Sequence, residues 1–331
     1  MRLAKSDRYS IARRTQSAAG VTLIELIVVI TISGIIAAVL GVFIVRPIQG
    51  YEALVRRGEL VDAAEMALRK MSRDIHQALP NSVRIRDSLG NTNSVTCSTA
   101  GVTCAIEMLN TLDGARYRAG PGQLVGPPLG HNHANSQYRL SFNGADNDGF
   151  NIVGFFQNIT VPFTSTTERL AIYNQGVTNA DAYADANLLS GAYVVTNPAV
   201  TTFTINGDGY LPAADEHQIL PSTNFNFRYA SPNQRVFIVD KPVSYVCSSG
   251  AGGNITRYEK YTINATQPTT PGGFTGGSNA LLTTPVTTCT FSYIPGTDQR
   301  AGLVTLDIIV QDSASGDQVR LLYQVHVDNA P

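Results

Sequence analysis

The stretch Gly20-Val21-Thr22-Leu23-Ile24-Glu25-Leu26 begins an apolar run that continues to Val45. Residues 26–45 form a segment of 20 residues without one charged side chain. At the rise of an α-helix this segment is about 30 Å long, which matches the hydrocarbon core of a bilayer. The sequence therefore predicts a helix that can span a membrane. The positions of the residues before and after this helix follow from it.

The residues before this helix are strongly basic. Residues 1–20 contain a single acidic side chain, Asp7, against five basic ones: Arg2, Lys5, Arg8, Arg13 and Arg14. Because positive flanks stay on the cytoplasmic side of a membrane, we expect the N-terminus in the cytoplasm. Everything after Arg46 is then predicted to lie on the opposite side.

Glu25 is unusual in this segment, because a carboxylate in a membrane-inserting helix is costly and is tolerated mainly where it has a function or a partner. The small residues Ala18, Ala19 and Gly20 are also unusual, since they precede the apolar run. A secretory signal has its small residues and cleavage site after that run. Cleavage after Gly20 would leave the apolar helix on the mature protein.

Six residues resemble the class III signal of type IV prepilins and pseudopilins: Gly20, Thr22, Leu23, Ile24, Glu25 and Leu26. The resemblance implies that a prepilin peptidase of the inner membrane cleaves between Gly20 and Val21 and then N-methylates Val21. Glu25 becomes the fifth residue of the mature chain. Val21 departs from the family pattern, in which Phe or Met is usual.

Glu25 has a physical reason to be charged once such helices pack into a fibre. An unpaired carboxylate in a fibre core is costly, whereas one that faces a cationic amine is compensated. We hypothesise that Glu25 pairs with the N-terminal amine of Val21, most productively that of a neighbouring subunit. The alternative is a hydrated carboxylate near the membrane interface.

The helical pattern changes after Pro47, which predicts a kink because proline lacks a backbone donor and clashes with the preceding turn. Apolar residues then recur along one face up to Pro80: Leu54, Val61, Ala64, Leu68, Met71, Ile75 and Ala78. We predict one long, bent helix over residues 22–79 whose second half docks on a globular domain. Two separate helices and a coiled-coil dimer are the alternatives.

The composition is that of an extracytoplasmic, β-rich protein: 43% of the residues are hydrophobic and only 15% are charged. The formal net charge of the 331 residues is -1, and the chain without residues 1–20 has 19 basic and 24 acidic side chains, a net charge of -5. This mild acidity argues against a dedicated nucleic-acid surface.

Four cysteines follow the predicted anchor: Cys97, Cys104, Cys247 and Cys289. An even number in an oxidising compartment favours disulfides, and three pairings are possible. We favour Cys97 with Cys104 and Cys247 with Cys289, because each pair lies within one region of the chain. A zinc site is the alternative, but no CxxC or HxxxH spacing supports it.

Short β-like runs replace the helical pattern after residue 83. We predict strands at residues 102–109, 150–156, 170–173, 192–196, 202–205, 224–229, 235–239, 243–247, 257–263, 287–293, 303–311 and 318–328. The last two are predicted to form a hairpin around residues 313–317. Gly- and Pro-rich stretches at 120–130, 248–253 and 266–278 are predicted to be surface loops.

Six further blocks carry a second resemblance: residues 242–247 (PVSYVC), 257–258 (RY), 289–293 (CTFSY), 302–305 (GLVT) and 326–331 (HVDNAP) in the C-terminal half, and 113–118 (DGARYR) before it. They resemble the MshO group of minor pilin-like proteins, which are relatives of the PilW and type II secretion J-type pseudopilins. The resemblance implies a minor pilin of a mannose-sensitive haemagglutinin type pilus.

Other chemistry has weak support in the sequence. Asp146 and Asp148 lie in an Asn/Asp/Gly stretch that is similar to a calcium loop but lacks the distal Glu of an EF-hand, so an ordinary turn is the better interpretation. His131, His133 and His326 are interpreted as solvated or locally bonded side chains. We find no nucleophile motif or phosphate loop, and we expect neither a catalytic site nor a cofactor.

The predicted fold class is α+β: a long N-terminal α-helix, transmembrane in its first half, packed on an antiparallel β-sheet domain with disulfides. Its predicted parts are a leader (1–20), a membrane and fibre-core helix (21–45), an amphipathic helical half (46–80) and a β-rich head (81–331). The head is expected in the periplasm while the helix is in the inner membrane, and later on a cell-surface pilus.

The predicted function is that of a non-enzymatic minor pilin that primes or tips a type IV pilus. The implied partners are the prepilin peptidase, the major and other minor pilins, the inner-membrane assembly platform and an unknown surface ligand. The alternatives are a tip adhesin, a DNA-uptake module, and a minor pseudopilin of a type II secretion system.

Overall fold

The structure is a computed structural model and describes residues 20–119, 139–140, 142, 149–191, 193–207, 216–223, 225–250, 252–296 and 300–327. The chain divides into two compact units, Met1–Val55 and Arg56–Pro331. Helix α1 spans Leu23–His76, so it contributes to the first unit up to Val55 and to the second unit from Arg56 onward.

In the first unit, α1 is the one helix of the described residues that is long and apolar enough to cross a membrane. Its apolar side chains between Leu23 and Ile44 are exposed. The helix is unbroken at Pro47, although the ring removes the backbone donor that the carbonyl of Phe43 would otherwise receive. The predicted kink stays a prediction.

In the second unit, α1 buries the predicted apolar stripe. Ala64, Leu68, Met71 and Ile75 are fully buried in the main core, which confirms the stripe over this part of the helix. The prediction is wrong for Leu54, which belongs to the first unit and is 72% exposed.

The helix also ends earlier than the predicted residue 79. Ala78 forms a β-bridge with Asn110, and the backbone N–H of Leu79 donates to the carbonyl of Leu109 at 2.8 Å. Pairing with a strand therefore overrides the helical pattern in the last predicted turn, and α1 ends at His76.

The remaining described elements are a short helix, α2 (Ala182–Asp185), a 3₁₀ turn (Pro271–Gly273) and the strands. The strands are β1 Arg84–Asp87, β2 Ser94–Cys97, β3 Thr103–Arg116, β4 Phe150–Asn151, β5 Phe163–Thr164, β6 Arg169–Ala171, β7 Phe203–Gly207, β8 His217–Pro221, β9 Arg235–Ser248, β10 Asn254–Glu259, β11 Ser278–Thr283, β12 Val286–Ile294, β13 Gly302–Gln311 and β14 Gln318–Val327.

These strands form three antiparallel sheets. The first sheet has the order β1-β3-β9-β10-β11, with β6 paired to β9, the second has the order β14-β13-β12-β2, and the third has the order β4-β8-β7-β5. Buried side chains of the first two sheets share the main core with the second half of α1. The architecture confirms the predicted α+β class.

Strands β3 and β9 are both 14 residues long and pair from Thr103 with Ser248 to Arg116 with Arg235. The chain leaves β3 and returns to β9 through residues 117–234, which we call the insertion lobe. The third sheet lies in this lobe, and its core is rich in aromatic residues, including Tyr117, Phe150 and Phe203.

The two disulfides join the first sheet to the second. Cys97 on β2 pairs with Cys104 on β3, and Cys247 on β9 pairs with Cys289 on β12, as favoured from the sequence. Cys97 and Cys289 are also opposite each other in the second sheet, as Cys104 and Cys247 are in the first. The two bridges are therefore neighbours, and both connect the first sheet to the second. All four cysteines are fully buried.

The strand predictions succeed best at the C-terminus, where β12, β13 and β14 lie close to the predicted bounds. Residues 235–239 and 243–247 are not two strands, because β9 runs through Pro242 with a register irregularity in its pairing to β3. Residues 193–196 and 225–229 form isolated bridges rather than strands. Five short strands were not predicted: β1, β2, β5, β8 and β11.

The predicted loops have mixed outcomes. Residues 120–130 lie outside the described residues. The stretch 248–253 connects β9 to β10, with Ser248 still in the strand. The stretch 266–278 contains the 3₁₀ turn and ends at the first residue of β11.

A charged network fastens the second half of α1 to the first sheet. The buried carboxylate of Asp74 accepts hydrogen bonds from Tyr245 Oη (2.7 Å), Arg257 Nε (2.8 Å) and Lys70 Nζ (2.9 Å). Arg257 also pairs with Glu259. Burial by itself would raise the pKa of Asp74, but these three donors outweigh it and hold the pKa below the ordinary 3.8.

Asp74→Asn should lower the free energy of unfolding of the head by about 3 kcal/mol, because it leaves the cation of Arg257 without its buried partner. The contribution of wild-type Asp74 should be fully present above its unfolded pKa of 3.8 and should disappear as the pH falls through the lower folded pKa. Urea unfolding at a series of pH values measures both effects.

The matched control for Asp74 is Glu65→Gln, which removes the exposed pair of Glu65 with Arg69 on the same helix. This control should leave stability unchanged within error, because exposed ion pairs contribute little. Equal losses for the two variants would contradict the role of Asp74.

Candidate processing and assembly site

The predicted scissile bond lies just before the start of α1. Gly20 and Val21 are exposed and have no helical hydrogen-bonding pattern, whereas the helix begins at Leu23. A Cβ added at Gly20 would meet no atom within 4 Å. The bond between Gly20 and Val21 is therefore open to an enzyme without any unwinding of α1.

Thr22 and Glu25 form a reciprocal cap at the start of the helix. The backbone N–H of Glu25 donates to Thr22 Oγ1 at 3.3 Å, and the backbone N–H of Thr22 donates to Glu25 Oε2 at 3.4 Å. This is a capping box, which satisfies two backbone donors that the first turn leaves without helical partners. It fixes the helix start one residue after Thr22.

The sequence reasoning missed this cap, although the signal was present as Thr-x-x-Glu before an apolar run. Glu25 therefore has a local role besides the one assigned from the resemblance. Its carboxylate is also at the positive end of the helix dipole, where a negative charge is favoured. Both effects hold the carboxylate near Val21, where cleavage would create a new cationic amine.

The pairing of Glu25 with an amine stays a prediction, because residue 21 carries an ordinary peptide N–H in the uncleaved chain. Glu25 is exposed, so its carboxylate is accessible to a group of another molecule. The apolar residues that follow it on α1 are exposed as well. The first unit thus combines the accessible carboxylate of Glu25 with an apolar helical surface that has no partner among its own described residues.

The remaining predicted site residues do not join this site. His131, His133, Asp146 and Asp148 lie outside the described residues, so the calcium interpretation stays a prediction. His326 is exposed on β14. Within the part of the chain that the structure describes, no three His, Cys, Asp or Glu side chains are grouped as metal ligands would be.

Comparison with known families identifies the segment that contains this site. Residues 15–41 match the prokaryotic N-terminal methylation motif. The methylation motif supports a type IV pilin-like or pseudopilin protein, and it implies processing by a prepilin peptidase and assembly with other pilins. No curated protein and no solved structure matched the chain.

The methylation motif includes Gly20, Val21 and Glu25, together with most of the apolar part of α1. The motif and the apolar helix are consistent with anchoring in the inner membrane. The head, residues 81–331, lies outside the matched segment.

Proposed function

We propose that this protein is a minor pilin-like subunit that primes or tips a type IV pilus of the mannose-sensitive haemagglutinin kind. The observation that carries the proposal is the methylation motif, whose cleavage junction is exposed and directly precedes a capped, exposed apolar helix. After cleavage, the helix can exchange lipid for similar helices while Glu25 faces an amine. The resemblance of the C-terminal blocks supports the specific pilus type.

The proposed position at the tip rests on the size of the head. The second unit extends from Arg56 to Pro331, and the insertion lobe adds a third sheet to the two sheets that pack with α1. A bulky head is difficult to repeat along a shaft but meets no such restriction at an end. A copy number in purified pili equal to that of the major pilin would contradict the tip position.

The proposed route begins with insertion in the inner membrane, with the head in the periplasm. The prepilin peptidase then cleaves and methylates the chain, and the assembly platform passes it to the major and minor pilins. In this proposal the head acts by contact and not by catalysis, and no cofactor takes part. A role as a minor pseudopilin in type II secretion is the alternative, since it uses the same signal.

The mature protein should begin at N-methylated Val21. Gly20→Val should block this processing, because it places a branched side chain at the scissile bond and leaves the precursor intact. The substitution should not disturb the fold, since a Cβ added at Gly20 meets no atom within 4 Å. Intact-mass and N-terminal peptide analysis of both proteins, purified from membranes and from pili, measures the result.

Two results would contradict the proposed function. One is a purified wild-type chain that begins at any residue other than Val21. The other is a correctly processed chain that never copurifies with pilus components. If deletion of the gene abolished protein secretion but left pili intact, the pseudopilin alternative would be favoured.

A further inference from the structure

Strand β14 is the outer strand of the second sheet. It pairs with β13 over all ten residues from Gln318 to Val327, and no described strand pairs with its other side. The pairing is regular, without a register shift. The strand therefore presents a straight row of backbone donors and acceptors to its surroundings.

The register shows which backbone groups face outward. The N–H of Asp312 donates to the carbonyl of Asp317 at 2.9 Å, so Asp317 faces β13. Because backbone groups alternate in direction along an antiparallel strand, every second residue after it also faces β13. The outward groups then belong to Gln318, Arg320, Leu322, Gln324 and His326.

This edge lacks the devices that usually protect an exposed strand. Edges are commonly short, bulged, or marked by Pro or Lys. Strand β1 at one edge of the first sheet and strand β2 at the other edge of the second sheet have four residues each. Strand β11, at the other edge of the first sheet, pairs with a register irregularity. Strand β14 has ten residues, neither Pro nor Lys, and no bulge.

The charge and polarity of β14 also favour pairing. Its one Arg or Lys, Arg320, donates from Nε to Asp307 Oδ1 at 3.0 Å on the neighbouring strand, so this charge is compensated within the sheet. Leu322 is 56% exposed, and Tyr323 on the opposite face is also exposed. The edge thus combines unpaired backbone groups with apolar side chains at its centre.

We propose that β14 pairs antiparallel with β14 of a second copy of this chain, with Leu322 opposite Leu322. This register joins outward-facing residues only: Gln318 to His326, Arg320 to Gln324, and Leu322 to itself. By the two-fold symmetry of the dimer the first two pairs occur twice, so there are about five outward pairs and about ten backbone hydrogen bonds, two for each pair. The two sheets of the copies then continue as one.

The side chains on both faces explain why a second copy fits this edge. On the core-side face the register places Val319 beside Val325 and Leu321 beside Tyr323, so apolar residues meet apolar residues. On the outer face it places Arg320 opposite a neutral glutamine. A shift by two residues in either direction would instead place Arg320 opposite His326 or Leu322, so the first register is the one that gives this guanidinium an amide partner.

Membrane anchoring would strengthen this contact, and in that respect the inference rests on the proposed function. Copies held in one membrane meet at a much higher effective concentration than free copies do. A contact made by one strand from each copy is small, so this concentration matters for its occupancy. The pair would form before or during entry into the fibre.

The test uses the position of Leu322, which lies opposite Leu322 of the second copy in the proposed register. Leu322→Lys and Leu322→Glu, each prepared as the full chain in membrane nanodiscs, should each reduce the cross-linked dimer about tenfold, because like charges then face each other. A mixture of the two variants, with different tags, should restore dimers between them to within about twofold of the wild type. Cross-linking and native mass spectrometry provide the readout.

The matched control is Leu281→Lys on β11, where Leu281 is 61% exposed on a different edge. It should leave the dimer unchanged, and thermal unfolding should show that all three variants are folded. The inference is overturned if the wild type is monomeric in nanodiscs, if Leu281→Lys acts as strongly, or if the Lys and Glu variants fail to pair with each other. In the last case β14 would accept a different chain or none.

This result is separable from the proposed function. Processing at Val21 and recovery from pili are measured at the N-terminus and do not depend on residue 322. A processed, pilus-associated chain whose β14 does not pair would overturn the inference alone. A chain that is never processed would overturn the proposed function, whatever its oligomeric state.

Discussion

Glu25→Gln should reduce incorporation of the protein into filaments by more than about a hundredfold while the chain still inserts in the membrane. Glutamine at this position keeps the capping box with Thr22, so the helix start is preserved. It removes the negative charge, however, and leaves the amine of Val21 without a partner inside the fibre. Loss of one partner of a buried charge pair costs about 3 kcal/mol or more, which is a factor of more than about a hundred.

Three variants separate the charge of Glu25 from its capping role. Glu25→Gln removes the charge, Thr22→Ala removes the cap, and Glu25→Ala removes both. Thr22→Ala should cost about 1 kcal/mol of local helix stability and should have a much smaller effect on incorporation. Quantitative immunoblots of sheared pili against membrane fractions measure the ratio, and wild-type incorporation of Glu25→Gln would refute the charge-pair hypothesis.

Removal of the disulfide between Cys247 and Cys289 should destabilise the head about twice as much as removal of the one between Cys97 and Cys104. The first closes a loop with a sequence separation of 42 residues and the second one of 7. Loop-closure entropy then gives about 4 kcal/mol for the long loop and about 2 kcal/mol for the short one. Cys247→Ala with Cys289→Ala should therefore leave the head largely unfolded at 37 °C.

Each disulfide variant is the matched control for the other, since all four cysteines are fully buried and alanine removes the same atoms. The chain contains 14 tyrosines and no tryptophan, so tyrosine fluorescence can follow urea unfolding of the full chain in detergent. Equal losses, or a larger loss for the short-loop variant, would contradict the entropic explanation.

The helix could be predicted from sequence because its signals are local and repeated. An uncharged apolar run and a seven-residue recurrence both persist over many turns, so single exceptions do not hide them. The end of the helix was predicted too late, because the pairing of residue 78 with Asn110 is a long-range contact. The exposure of Leu54 has a similar origin, since the recurrence of apolar residues does not reveal at which residue of α1 the burial of that face begins.

The strands also divide into those with a clear local sequence pattern and those whose bounds depend on long-range pairing. Strands β13 and β14 alternate clearly because one face of each is buried, and their connection is short. Strand β9 was divided at Pro242, since proline normally interrupts an interior strand and the irregular register that accommodates it is set by β3. Strands β5 and β8 in the insertion lobe, with two and five residues, are too short to show a period.

The candidate site was predictable because its chemistry lies in adjacent residues. Gly20, Val21 and Glu25 lie within six positions, and the methylation motif includes all of them. The outer edge of β14 was not predictable in the same way. Its availability depends on which strands pair with which, and a single sequence does not reveal the order of strands in a sheet.

The insertion lobe has a consequence for how such heads can diversify. Arg116 and Arg235 are opposite each other at the point where the chain departs and returns, so the ends of β3 and β9 stay together whatever the length of the chain between them. The entropic penalty of a longer excursion grows only with the logarithm of its length. The chain between these two arginines can therefore vary in length while the disulfide-linked half of the head keeps its architecture, provided that it still covers Leu79, Leu109 and Val239, which share a core with the lobe.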